Sequence, residues 1–410
     1  PHFKSFLHMR ILFLTDNFPP EVNAPANRTY EHCKEWVKQG ADITVITCFP
    51  NFPKGKVYPG FKNKLYQKET MDGIKVIRVW TYITANEGFV KRILDYISFA
   101  IAAFFAGLFV KTDLIIATSP QFFTAISGWF LHIFKRKKWV MEVRDLWPES
   151  IVAVGAMKKN AFIRFFEKVE KHLYKSADRI VVVTDAFKVK IIERGINGDK
   201  IFVHKNGANL EMYQPDSKPQ DLVQKYQLQN KFVLAYIGTH GLAHGLDFIL
   251  QSAQKLQNSH PQIFFLFMGD GANKQNLIDL SKKLQLNNVL FLDSVDKKQV
   301  LNYLNLMDVA LVNLKKSDTF LTVIPSKIFE AAAVKKPILL GLMGETMQII
   351  NHYEAGLCFE PENEADFIEK TITLATNPEI YQKSVKGCEK LAQDFDRNKI
   401  ATQMLKTLHF

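Results

Sequence analysis

The sequence predicts an α/β protein of two successive, doubly wound parallel-sheet domains, and three observations predict it. Short runs of aliphatic and β-branched residues recur along the chain, each followed by a stretch of helical periodicity. The runs are apolar throughout, without polar alternation, as strands covered by helices on both faces require. A polar stretch, "NLEMYQPDSKPQ" at 209–220, breaks the rhythm once before it restarts, and 410 residues exceed the size at which one core stops growing.

Taken in order, "RILFLTDNFPPE" from Arg10 is a strand ending in an Asn/Pro loop. "RTYEHCKEWVKQGADITVIT" supplies a helix closed by Gly40 and a second strand, which completes a β-loop-α-β unit. The alternation continues through "IKVIRVW" (74–80), an apolar helix at 93–110, "TDLIIATSP" (112–120), a second apolar helix and "KWVMEVRD" (138–145). A long helix over 161–175, "DRIVVVT" (178–184), another helix and "KIFVHKNG" (200–207) complete the first domain. The second repeats the grammar with "KFVLAYIGTHGLAHGLDFIL", "IFFLFMGDG", "NVLFLDSV", "DVALVNL", a helix entered through "TVIPSKIFEAAAVKKP" and "KPILLGL". The expected division is 1–208, 209–380 and a closing segment 381–410. In open parallel sheets ligands lie beyond the carboxyl ends of the strands, and the polar motifs of this chain fall there, which favours a nucleotide-type ligand.

The formal charge of +12 is uneven: residues 1–205 hold 32 Lys+Arg against 19 Asp+Glu, and the remainder 21 against 22. A basic first half calls for an anionic partner. The apolar run "ILDYISFAIAAFFAGLFV" follows "VKR", and "FFTAISGWFLHIF" runs into "KRKK" at 135–138. Apolar surface beside lysines suits an anionic membrane surface better than nucleic acid, each lysine adding about 1 kcal/mol near anionic lipid. The alternative is a pair of buried core helices. Asp95 and the short apolar length argue against a span. No secretory signal is evident, and Cys33, Cys48, Cys358 and Cys388 are scattered without C-x-x-C spacing, so reduced thiols in a cytoplasmic protein are expected. The histidines show no H-x-x-x-H or H-E-x-x-H pair, and no metal is expected.

Four stretches carry possible chemistry. In "TVIPSKIFE", Ser326, Lys327 and Glu330 share one face of the first helical turns. A serine and a lysine beside free backbone N–H groups suit phosphate, while a carboxylate one turn deeper suits ribose hydroxyls. The plainer alternative is a serine cap with a surface Lys–Glu pair. In "YIGTHGLAHGLD", Gly238, Gly241 and Gly245 follow a strand and precede a helix, a turn that can approach a pyrophosphate or be merely a turn. "EVRDLWPES" gathers Arg144, Asp145 and Glu149 around a Trp-Pro turn, either for acid/base work and sugar hydroxyls or as a salt-bridged turn. "FPPEVNAPANR", with Asn23 and Arg28, enters a helix whose N-terminus can face phosphate. The loop 49–69, with Lys54 and Lys56 among its lysines and interleaved aromatics, fits single-stranded nucleic acid, a diphosphate and its sugar, or solvent alone.

In order and spacing, "FPPEVNAPANR", "GADITVITCFPNFPKGKVYPG", "EVRDLWPES", "RIVVVTDAF", "HKNGANLEMY" and "IPSKIFE" resemble family 4 of the GT-B retaining glycosyltransferases over nearly the whole chain. In particular the chain looks like the branch that adds fucose-type or N-acetyl-L-fucosamine residues in bacterial capsule and O-antigen (lipopolysaccharide) assembly. The resemblance implies two Rossmann-like domains facing a central cleft, with the closing segment crossing back to the first. It implies a nucleotide-sugar donor, UDP-linked rather than GDP-linked, and a polyprenyl-diphosphate-linked saccharide acceptor. It further implies a location peripheral on the inner face of the cell membrane, with no nucleic acid, cofactor or required metal. Glu330 falls on the second glutamate of the family's E-x7-E motif, the ribose ligand, while its first glutamate falls on Thr322. The usual Arg and Lys after the second domain's first strand are replaced within "THGLAH", where Thr239 and His244 stand as donor candidates with Gly238. Lys327, helped by Arg28, is then left for the diphosphate, and Asn23 is a further donor candidate. Glu345, beside Gly344, falls on the donor-sugar loop, and Arg144-Asp145 where relatives carry His-Asp near the acceptor. Asp145, Lys327 and Arg144 are the catalytic candidates, and Lys54, Lys56 and Glu149 those for the acceptor. Two other readings stay open: a GT-B nucleotide-sugar epimerase, and a non-catalytic sugar- or nucleic-acid-binding protein.

Overall fold

The structure, a computed structural model, describes residues 9–52, 54–84, 89–119, 122–150 and 160–410. It divides into two units, one of the residues up to Lys205 together with Asn398–Phe410, the other Asn206–Arg397. The expected boundary after 208 thus lies three residues beyond this division, which falls after Lys205.

The first unit holds an eight-stranded sheet in the order β3-β4-β2-β1-β5-β6-β7-β8. Its strands are β1 (Arg10–Leu14), β2 (Asp42–Cys48), β3 (Tyr66–Met71), β4 (Ile74–Val79), β5 (Leu114–Thr118), β6 (Lys138–Val143), β7 (Arg179–Val182) and β8 (Ile201–Val203). All pair in parallel except β3 with β4, and β1 registers Ile11 with Ile43 on one side and with Leu114 on the other. The helices α1 (Ala24–Lys38), α2 (Phe89–Leu108), α3 (Phe122–Lys135), α4 (Ala161–Ser176) and α5 (Asp185–Glu193) connect the strands. Successive strand side chains point to opposite faces, so Ile11 and Phe13 join one buried cluster with Trp36 while Leu12 and Leu14 join another with Trp139. Both faces are covered, which explains the unalternated strands.

Part of the expected loop 49–69 is strand. "YQKETM" alternates half-buried with exposed positions along the sheet edge and turns into β4 through Asp72 and Gly73, both at positive φ. An edge strand with one solvent face carries too little apolar signal to be distinguished from a loop.

The second unit holds a six-stranded, all-parallel sheet in the order β11-β10-β9-β12-β13-β14. These strands are β9 (Phe232–Ile237), β10 (Ile263–Met268), β11 (Val289–Leu292), β12 (Val309–Asn313), β13 (Ile338–Gly341) and β14 (Gly356–Cys358). Its helices are α6 (Gln220–Lys225), α7 (Leu246–Ser259), α8 (Lys274–Lys283), α9 (Lys297–Leu306), α10 (Lys327–Ala333), α11 (Glu345–Tyr353), α12 (Glu364–Thr376) and α13 (Pro378–Asp394).

The closing segment is not one element. Cys388 and Leu391 of α13 are buried in the second unit's core, while Met404, Leu405 and Leu408 of α14 (Arg397–Leu408) are buried in the first unit's. Trp36 Nε1 donates to the Ala401 carbonyl at 2.8 Å, and His204 Nε2 lies 3.0 Å from Thr407 Oγ1. The expected crossing segment 381–410 thus reduces to α14.

Among the described residues no helix is long and apolar enough to cross a membrane, and no cluster of His, Cys, Asp and Glu is placed to hold a metal. The four cysteines are free, three of them buried.

Candidate functional site

The second unit's site is built where β9 ends. Gly238 has φ +142°, and a Cβ there would lie 2.6 Å from both Cε and Nζ of Lys327, so only glycine lets the lysine reach the turn. The Lys327 ammonium stands 3.8 Å from the centroid of the Tyr236 ring. Burial lowers its pKa to about 7, against which Glu330 pulls upward. Glu330 accepts the Tyr213 hydroxyl at 3.4 Å. The helix α10 starts at Lys327, with Pro325 outside it, and Ser326 makes no capping hydrogen bond through its side chain. The plain reading of a serine cap with a surface Lys–Glu pair does not describe this arrangement. What stands here is a lysine drawn under the turn at a strand's carboxyl end.

The two histidines of "THGLAH" supply no positive charge. His240 is fully buried beside Tyr236, Phe267 and Phe291, its ring nitrogens lack partners among the described residues, and burial holds its pKa down at about 4. His244 turns Nδ1 back to the Gly241 N–H at 3.3 Å, and burial lowers its pKa too. His244, a donor candidate by position, thus closes its own turn with this ring nitrogen. Thr239 is exposed at the tip, and its carbonyl accepts the Tyr236 hydroxyl at 2.8 Å.

Thr322 and Glu345 are brought together by the backbone. Gly344 has φ +81°, and a Cβ there would meet the Leu321 carbonyl at 2.1 Å. The Glu345 N–H donates to Leu321 O at 3.0 Å, and Thr346 Oγ1 donates to Val323 O at 2.7 Å. The segment carrying Thr322 is therefore fastened to the start of α11, whose first residue is the buried Glu345. Tyr213, Tyr236 and this fastening were not legible in the sequence, because each depends on pairs far apart along the chain.

In the first unit several candidates are committed elsewhere. Arg28 is buried, pairs with Glu142 at 3.1 Å and donates to the carbonyls of Lys205 and His204 at 3.1 and 3.0 Å. Burial opposes ionisation of Glu142, but Arg28 and Arg144 outweigh it and hold its pKa below the ordinary value. Arg28 is thus a buried counter-ion, and the expectation that it neutralises a diphosphate is corrected. Asn23 is the N-cap of α1, its side chain accepting the Ala26 N–H at 2.8 Å and donating to Asn17 at 2.7 Å. That assignment replaces a direct ligand role: Asn23→Ala is expected to lower stability by about 1 kcal/mol in chemical denaturation while leaving nucleotide affinity unchanged. Glu149 is ion-paired to Lys190 at 2.6 Å and to Arg194 at 2.5 Å, and Arg194 also pairs with the buried Glu170. The structure thus shows the salt-bridged turn.

Asp145 remains available. Burial raises its pKa, and Ser150 donates to it at 2.9 Å. Arg144 lies next to it, its N–H donating to Ser119 Oγ at 2.9 Å. Lys54 and Lys56 are exposed on their loop. The neighbouring strand-end loops are cross-tied: Arg78, fully buried, donates to Glu69, Cys48 O and Pro19 O, while Glu21 accepts the N–H groups of Asn51 and Phe52 at 2.8 and 2.9 Å. Asp95 of α2 belongs to this end of the sheet, its pKa raised to about 6 by burial and by Glu21.

Comparison with known proteins agrees with this division. The family described as "Glycosyl transferase 4-like domain" matches residues 23–207, and that described as "Glycosyl transferases group 1" matches 219–391. The chain is 26% identical over 377 residues to the putative colanic acid biosynthesis glycosyl transferase WcaI of Escherichia coli (strain K12), covering 87% of this chain and 89% of that protein. It is 28% identical over 209 residues to the probable glycosyltransferase WbjE of Pseudomonas aeruginosa, covering 49% of this chain and 50% of that one. Its fold matches that of Anabaena Alr3699/HepE in complex with UDP and glucose (TM-score 0.70, 17% identity, 98% of this chain and 99% of that). It also matches sucrose-phosphate synthase from Thermosynechococcus elongatus (TM-score 0.77, 16% identity, 97% and 98%). With a glycosyltransferase 4-like first half, a group 1 second half and the GT-B fold, the chain belongs to the group 1 glycosyltransferases and is an enzyme of that kind.

Proposed function

We propose that this enzyme moves a sugar, with retention, from a UDP-linked donor to a polyprenyl-diphosphate-linked saccharide during assembly of a surface polysaccharide. The observation that carries the reading is Lys327 held against Gly238 with Glu330 one turn deeper. It supports a diphosphate at the lysine and a ribose at the carboxylate. UDP is favoured by the complexes of structural neighbours, and polysaccharide assembly by the relative named for colanic acid biosynthesis; the lipid-borne acceptor is what the sequence resemblance implies. The donor sugar we favour is N-acetyl-L-fucosamine or a related deoxy-amino sugar, and the location is the inner face of the cell membrane.

In the step proposed, the bond from the anomeric carbon to the β-phosphate oxygen breaks and a bond to the acceptor oxygen forms on the same face. Charge grows on the leaving phosphate, where Lys327 stabilises it, and the acceptor proton passes to that phosphate. No protein nucleophile and no metal is needed. Asp145, with Arg144 beside it, positions the acceptor, and Glu345 supplies near the donor sugar the carboxylate that Thr322 lacks.

The test incubates purified protein with UDP- and GDP-sugars, with EDTA, with and without a polyprenyl-diphosphate-linked sugar. Donor consumed only with acceptor supports transfer; consumption without acceptor supports an epimerase or a hydrolase instead. Glu330→Gln is expected to weaken UDP and uridine alike by about 1.5–3 kcal/mol in calorimetry, the worth of hydrogen bonds to a charged group. Loss confined to UDP would reassign Glu330.

A further inference from the structure

We propose that α2 and α3 form a lipid-binding plate and that the groove between them seats one acyl chain of a membrane phospholipid. This rests on the reading above only in that a lipid-borne acceptor brings the enzyme to a membrane.

The groove has a volume of about 380 Å³. Its walls are Ile97, Ile101, Phe104 and Phe105 from α2 and Ile126, Phe130 and Phe134 from α3, with the hydroxyl of Ser127 the one polar side-chain group. The spacings are those of one helical face on each element. Phe104 meets Phe105, Phe130 and Phe134 edge to face at 5.4, 6.1 and 5.5 Å, which fixes the rings that wall the groove. Phe105 is 58% exposed, Phe134 66% and Phe109, just past α2, 88%. A contiguous apolar surface of this kind marks an interaction site. Between the rings the groove is lined by the small side chains of Ala100 and Ser127.

Charge selects the occupant. Lys91 and Arg92 are exposed at the start of α2, and Lys111 and Arg136 are exposed at the far ends of α2 and α3. The 20 residues of α2 separate these groups by about 30 Å. One diphosphate cannot touch both ends, whereas the phosphates of a bilayer surface meet both when the helices lie along it. Asp95, the single acid of α2 and α3, is partly buried beside Asp16 and Glu21, and α3 carries none. Of the "KRKK" run, Lys135 donates to Leu108 O at 2.9 Å, Lys138 pairs with Asp178 at 2.7 Å and Lys137 stands 4.0 Å from Asp113, so Arg136 carries most of the free charge. Because the N-terminal end of α2 adjoins the strand-end loops through Asp95, the plate brings that edge of the first unit to the membrane surface.

The experiment mixes the full chain with vesicles of phosphatidylcholine alone, or with phosphatidylglycerol whose acyl chains carry bromine. Trp129 on α3, 4.8 Å from the Phe130 ring, reports bromine by loss of emission. Wild type should sediment with phosphatidylglycerol vesicles and lose emission. The pair Phe105→Ser and Phe134→Ser should weaken sedimentation by about tenfold or more, having lost two inserted rings. The pair Ala100→Leu and Ser127→Leu fills the groove, leaves every charge and exposed ring in place, and should still sediment while losing most of the quenching. Unchanged quenching in the filled variant would overturn the acyl-chain site. So would self-association through this face without vesicle binding in sedimentation velocity, or quenching by a brominated polyprenyl phosphate and not by phosphatidylglycerol. UDP binding checks that each variant is folded, and Phe105→Ser alone replaces a mostly exposed ring if the pair is not. A wild type that binds vesicles but no UDP would refute the UDP-donor reading and leave the plate standing.

Discussion

Lys327→Ala is expected to weaken UDP binding by about 1.5–3 kcal/mol, roughly ten- to a hundred-and-fifty-fold, with uridine affinity little changed. The argument is geometric: the ammonium sits under the glycine turn that ends β9, where a diphosphate would lie, and His240 and His244 are held neutral. A proton accompanies the ligand. With its pKa lowered to about 7 by burial, much of the free enzyme carries a neutral Lys327 above that pH. A bound diphosphate raises the pKa, so between the free and bound values binding takes up a proton. UDP affinity should therefore fall as pH rises beyond about 7. Calorimetry near pH 8 in buffers of different ionisation enthalpy should show proton uptake in wild type and none in Lys327→Met. Equal losses of UDP and uridine in Lys327→Ala would remove the phosphate assignment.

Arg28→Met should destabilise the first unit by about 3–5 kcal/mol, because it strands a buried carboxylate. The Glu142 partner is 1% exposed, and Arg28 also holds the carbonyls of His204 and Lys205. The pH dependence has a definite sign. In wild type the depressed pKa of Glu142 gives stability that is present above the ordinary carboxylate range and lost as pH falls through the folded value. In Arg28→Met the carboxyl is no longer held ionised by that partner, so protonation relieves the variant. Its deficit against wild type should be largest near neutral pH and narrow toward pH 5, as read by urea denaturation. Protein that remains folded should bind UDP as wild type does; a selective loss of UDP with stability intact would return Arg28 to the donor site.

The strands of both sheets were legible because a strand buried on both faces must be apolar at every position, and "ILFL", "LIIAT" and "VALVN" satisfy that without reference to anything else. Helix starts and strand-end loops were legible for similarly local reasons. The edge strand β3 was not, since its polar alternation matches a loop as well as a strand, nor was the break between α13 and α14, which depends on which core each helix joins. The candidate site divides the same way. Lys327 and Glu330 could be named from their spacing, but a lysine followed three residues later by a glutamate fits a surface pair equally well.

By itself, then, the sequence determined two doubly wound domains and the positions at which polar residues follow strands, because periodicity and turn chemistry act over a few neighbouring residues. Only the tertiary structure decided what each charged side chain faces. It placed Lys327 against a glycine 89 residues earlier in the chain, turned Arg28 to a glutamate 114 residues away and matched Glu149 with Lys190 and Arg194. Burial and charge pairing are set by long-range packing, and the same residue types in the same order would be ligands or counter-ions according to it.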